Sequence, residues 1–82
     1  MRKSLGYGSG DMQGLFCIAT DEIDDLAATV EIWFSVDTGK LYHVMLGSTD
    51  LYWVLNSSVM HDIRAIASEC HELFNVRVGD MA

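Results

Sequence analysis

The stretch Thr29–Leu46, TVEIWFSVDTGKLYHVML, limits more than any other what this chain can fold into. Val30, Ile32, Phe34 and Val36 alternate with Thr29, Glu31, Trp33 and Ser35. That is the period-two pattern of a strand with one buried face. Asp37-Thr38-Gly39-Lys40 supplies the turn, with Asp opening a type I turn and Gly in the left-handed position of a three-residue loop with a bulge. The turn sets the register and pairs Val36 with Lys40. Phe34 is then expected opposite Tyr42, Ile32 opposite Val44 and Val30 opposite Leu46 on one face. Trp33 falls opposite His43, Glu31 opposite Met45 and Ser35 opposite Leu41 on the other.

The remaining segments read as pieces laid against this hairpin. Residues 1–14 hold Gly6, Gly8, Gly10 and Gly14, four of the chain's seven glycines, and read as a flexible N-terminal arm. Gly6-Tyr7-Gly8-Ser9-Gly10 has neither a preceding strand nor the lysine of a phosphate loop, so it is no nucleotide motif. Residues 15–78 form a single compact domain. Within it, Leu15–Thr20 is a nearly continuous apolar run, a strand buried on both faces. Thr20 or Asp21 would cap a brief helix that ends near Ala28, with Ile23, Leu26 and Ala27 at helical spacing. Gly47–Asp50 is a polar turn and Leu51–Leu55 another strand. A helix from about Ser58 to Phe74 follows, capped by Ser57 or Ser58, with Asn75 as its C-terminal stop. Val59, Ile63, Ile66, Ala67, Cys70, Leu73 and Phe74 share one stripe of it. Val76–Val78 is a candidate edge strand. The fold class expected is α+β: a three- to four-stranded antiparallel sheet with the C-terminal amphipathic helix on the face of Ile32, Phe34, Tyr42 and Val44.

At 82 residues there is room for one core, and a domain this small buries only about 60% of the surface its unfolded chain exposes. Added burial by homodimerisation is therefore one expectation. No apolar run reaches the roughly 18–20 residues of a membrane span, and no signal sequence is evident, so the chain reads as cytoplasmic. Cys17 and Cys70, far apart in apolar contexts, read as buried thiols of a reducing compartment.

Charge is the strongest compositional signal. Twelve acidic residues face five basic ones, for a net charge of −7. Two of the five, Arg2 and Lys3, lie in the N-terminal segment. Such a body repels phosphate backbones, which argues against direct nucleic-acid binding. It is attracted to basic protein surfaces, including those that hold nucleic acid. Keeping a hydrophobic small domain soluble is the plainer use of the same charge.

No motif for a particular chemistry is present. The histidines, cysteines and carboxylates lack metal-ligand spacing, so no metal or cofactor is expected. Cys70 and His71 are helix neighbours whose side chains diverge, and Cys17 sits in apolar surroundings unsuited to a thiolate. Asp21, Glu22, Asp24 and Asp25 read as a solvated acidic patch rather than an acid–base pair. The better signal is a binding surface. If one helix covers the Phe34 face, then Trp33, Leu41, His43 and Met45, with Glu31 beside them, are left on the other. Trp and Met are types enriched at interface cores.

The expected function is thus a non-catalytic interaction protein, an inhibitor or adaptor. Its partner-binding residues are Asp21, Glu22, Asp24, Asp25, Glu31, Trp33, His43 and Met45, with Trp33 or Trp53 as anchor. In general profile (short, acidic, one α+β domain, no catalytic constellation) it resembles phage-encoded inhibitors such as anti-CRISPR proteins. The resemblance is compositional and implies a partner whose basic surface binds nucleic acid. Two alternatives stand beside it: a homodimer joined through Trp33, Leu41, His43 and Met45, and a small enzyme or metal protein using Cys70, His71 or His43.

Overall fold

A computed structural model of the chain describes residues 3–23, 26, 28–52 and 55–74. Five strands form one antiparallel sheet in sequence order: β1 (Lys3–Tyr7), β2 (Leu15–Thr20), β3 (Val30–Ser35), β4 (Leu41–Leu46) and β5 (Thr49–Asp50). One helix, α1 (Ser57–Phe74), follows. The class is α+β as the periodicities predict, with more strands than expected. The extra one is β1, in the segment read as a flexible arm. Its glycines do not prevent pairing along β2, from Lys3 opposite Thr20 to Tyr7 opposite Phe16. A 3-10 turn at Gly10–Met12 then reverses the chain. Gly8 is required there, because a Cβ would collide with the backbone oxygen of Met12.

The central hairpin forms with the middle of its register as read, Glu31 pairing with Met45, Ile32 with Val44 and Trp33 with His43, but Leu46, expected in the core opposite Val30, is exposed. Nearer the turn the reading needs correcting. Ser35, not Val36, pairs with Lys40: its N–H donates to the Lys40 carbonyl at 2.8 Å, and Gly39 N–H donates to the Ser35 carbonyl at 2.9 Å. Four residues therefore lie in the loop rather than three, with Gly39 at φ +73°. Val36 instead donates to the Gly14 carbonyl. The register shifts by one between Trp33 and Phe34, so Phe34 faces Leu41 and Tyr42 is the extra residue of a bulge. Leu41 turns into the core at 4% exposure, while Tyr42 is 48% exposed. This swap suits the side chains, since the tyrosine keeps its hydroxyl in water.

The core lies between one sheet face and α1. It contains Phe16, Ile18, Val30, Ile32, Phe34, Leu41 and Val44 from the sheet and Val59, Ile63, Ile66, Ala67 and Cys70 from the helix. Each large side chain fully buried contributes roughly 1.5–3 kcal/mol. Phe16 and Phe34 stack at 5.3 Å between centroids. The helical stripe is as read through Cys70; the side chains of Leu73 and Phe74, and Asn75 and Val76–Val78 entirely, lie outside the described residues. The cap is Asn56 rather than a serine: its Oδ1 accepts the Val59 N–H at 2.9 Å, and its carbonyl accepts the Met60 N–H.

Two further expectations differ. Residues 21–23 are not helical; the Leu26 N–H donates to the Ile23 carbonyl, and Asp24, Asp25 and Ala27, where the rest of the brief helix is expected, lie outside the described residues. The buried Thr20 hydroxyl accepts the Glu22 N–H at 3.1 Å, a local turn that competes with a helix start. So short a helix is in any case marginal. Ile23, fully buried, then pins this segment to the core. The strand expected at 51–55 is also absent at Leu51, Tyr52 and Leu55. Pairing with β4 comes earlier, through a two-residue turn at Gly47–Ser48 that sets Leu46 opposite Thr49 and Met45 opposite Asp50.

The bulge gives a direct test of register. Leu41→Ala is expected to destabilise the fold by about 2–5 kcal/mol, as core truncations do. Tyr42→Ala is expected to cost about 0.5 kcal/mol or less. Urea unfolding followed by circular dichroism checks both, and the reverse order of effects would restore the unbulged register.

Candidate functional site

The strand pairings arrange the second sheet face in two rows across the strands. One row runs Ser4, Ala19, Glu31, Met45, Asp50. The next runs Gly6, Cys17, Trp33, His43. Among the described residues α1 is the one α-helix, and it packs on the opposite face. This face therefore stays uncovered by the described residues, with Trp33, His43 and Met45 half-buried and Glu31 exposed.

Four of the sequence-derived candidates, Glu31, Trp33, His43 and Met45, thus come together. Leu41 does not join them, because the Tyr42 bulge rotates it into the core. Asp21 and Glu22 follow directly on β2, at the sheet end where Ala19 and Glu31 pair. They add negative charge beside the row of Glu31 and Asp50. Asp24, Asp25 and Trp53 lie outside the described residues.

Asp50 is a site residue that reading the sequence as a polar turn misses. Its Oδ2 lies 2.7 Å from His43 Nδ1, and its Oδ1 accepts the Tyr52 N–H at 2.9 Å and the Val44 N–H at 3.4 Å. One carboxylate thereby ties β4 to the segment that leaves the sheet. Partial burial pushes its pKa up, but the Tyr52 N–H, His43 and the Val44 N–H outweigh it and hold the carboxyl below its ordinary value of 3.8. Gly6, Ala19 and Cys17 were also missed as members of this face. The continuous apolar run of β2 hides which of its residues point which way, and the glycines of β1 mask a strand.

Cys17 is 7% exposed, low beside its taller neighbour Trp33 on the sheet. Burial, then the nearby Glu31 carboxylate, push its thiol up to about 12, against a smaller opposing effect of the Ile32 backbone. Such a thiol is neutral at any physiological pH. Trp33 stands between Cys17 and His43 in their row, so these two do not meet. The Trp33 indole N–H is buried and finds no acceptor among the described residues. Cys70 is fully buried under the helix and His71 is exposed, while His43 belongs to the other side of the sheet. The three residues of the enzyme alternative are therefore not assembled in one place. No cluster of three or more metal-ligating side chains occurs among the described residues, and none of the described helices is long and apolar enough to cross a membrane.

Two measurements follow from these environments. A carboxyl held below its ordinary value adds stability above that value and loses it as pH falls through the folded-state pKa. Asp50→Ala is expected to lower the thermal midpoint at neutral pH by about 4–8 °C for a loss of about 1 kcal/mol. The gap should narrow once the pH drops below the ordinary carboxylate range, and a gap independent of pH would contradict this account. Titration with Ellman's reagent at mildly alkaline pH should find both thiols silent in the folded protein and both reactive in denaturant.

No protein-family model, curated protein or solved structure matches this chain. The functional reading rests on the chemistry of the uncovered face.

Proposed function

We propose that this chain is a non-catalytic interaction protein, an inhibitor or adaptor, that lays the open face of its sheet against a basic surface of another protein. The observation that supports this most is the pairing of Trp33 and Met45 with Glu31 and Asp50 on one face that the helix leaves uncovered. An aromatic anchor surrounded by carboxylates suits a basic partner: burial of the ring supplies affinity, and the net charge of −7 speeds encounter. Asp21 and Glu22 extend the acidic edge, and Asp24 and Asp25 adjoin them in sequence. A surface evolved to hold nucleic acid is one such partner surface, and this chain would compete for it rather than bind nucleic acid itself. Two buried cysteines outside any disulfide are at home in a reducing, cytoplasmic setting.

A second reading, a homodimer through the same face, has the apolar character of Trp33 and Met45 in its favour. Against it stand the carboxylates, which a two-fold arrangement would bring near their own copies.

The test combines light scattering with affinity capture. The protein is expected to be monomeric in low and high salt. A partner retained by the wild type should be lost with Trp33→Ala and weakened at least about tenfold when Asp21, Glu22, Asp24 and Asp25 are made Asn or Gln. Retention by both variants at full strength would refute the reading. A dimer that survives high salt, and that Trp33→Glu splits, would move the face to self-assembly.

A further inference from the structure

On the open face, β1 and β2 carry short side chains at Ser4, Gly6, Cys17 and Ala19, while their β3 neighbours Glu31 and Trp33 are tall. Ser4, Gly6, Cys17 and Ala19 lie beside Trp33 and Glu31, and the step between them leaves a groove of about 230 Å³. That is below the roughly 300–1,000 Å³ of a small-molecule site and suits one long side chain. No basic residue lines the groove. Its floor is apolar or weakly polar, and its charged group is Glu31, exposed on β3. The field of that carboxylate reaches into the groove, since it is one of the influences acting on the Cys17 thiol.

We propose that this groove is the socket for one basic side chain, arginine in first place, projecting from the partner's surface. The inference rests on the interaction reading above and specifies its central contact. The aliphatic stem would lie over Gly6, Cys17 and Ala19, where it loses water contact at no cost in polar groups. The cationic head would meet Glu31, with Trp33 alongside offering a ring to a guanidinium. An apolar side chain would fill the same floor but bury the Glu31 side of the groove without a counter-charge, and an acidic one would be repelled by it.

Gly6 makes the socket testable. A Cβ at this position meets nothing within 4 Å, so a side chain there enters free space in the groove. Gly6 is also absent from the glycines with positive φ, and a branched residue is welcome in a strand. Gly6→Val should therefore fill the groove and leave the fold intact, which the amide spectrum of the core strands reports. Glu31→Gln, at an exposed position, is the second variant and leaves the packing untouched.

The probe is Nα-acetyl-arginine methylamide, titrated into isotopically labelled protein by NMR, with the neutral citrulline analogue and a hexa-arginine peptide as companions. The arginine compound should shift the Gly6, Cys17 and Ala19 amides and the Trp33 indole signal. Gly6→Val should abolish these shifts, Glu31→Gln should weaken binding at least about tenfold, and citrulline should bind correspondingly worse. If hexa-arginine binds but maps to Asp21 and Glu22, or binds Gly6→Val as well as wild type, the socket is overturned while the acidic-surface reading stands. If neither arginine compound binds anywhere, both fall.

Discussion

One amphipathic helix covers one face of a sheet, and that constraint governs the rest of this molecule. The stripe from Val59 to Cys70 meets Ile32, Phe34, Leu41 and Val44, and the two surfaces close the apolar core. Nothing among the described residues does the same for the other side. The residues found there are accordingly mixed in character: Trp33 and Met45 are large and half-buried, Ala19 and Cys17 are small, and Glu31, His43 and Asp50 are polar. A sheet face facing solvent in an antiparallel protein is expected to be polar. This one is polar only in part, and its tryptophan stands at the middle of a row.

The bulge at Tyr42 shows how one residue alters both faces at once. Side chains alternate along a strand, so a shift of one position between Trp33 and Phe34 exchanges the fates of Leu41 and Tyr42. The core gains a leucine beside the Phe16–Phe34 stack, and the open face loses an apolar residue. What remains on that face is less continuously apolar than unbulged pairing would give.

Much of this was legible in the sequence wherever apolar periodicity was strong. The alternation in β3 and the helical stripe each fixed a buried face, and with them the fold class and the grouping of Glu31, Trp33, His43 and Met45. Legibility failed where the signal depended on something other than periodicity. A four-residue and a three-residue loop are equally compatible with Val-Asp-Thr-Gly-Lys, and the difference lies in whether Ser35 or Val36 closes the turn. β1 was missed because glycine lowers strand propensity, while the pairing that holds it comes from β2. Asp50 resembled a turn residue, and its hold on His43, Val44 and Tyr52 exists only once two strands have met.

The groove beside Trp33 follows from that same unread strand. Had β1 and β2 carried large side chains opposite Trp33, the second face would be level, and the tryptophan would present only an edge. Gly6, Ser4, Cys17 and Ala19 instead leave a step against β3, with Glu31 at its lip. Small residues on exposed strands usually weaken a sheet, because they bring no cross-strand packing. A domain of 82 residues has little stability to spare for an unpacked face. The groove therefore costs this fold something, a cost that is understandable if an incoming side chain supplies the missing packing.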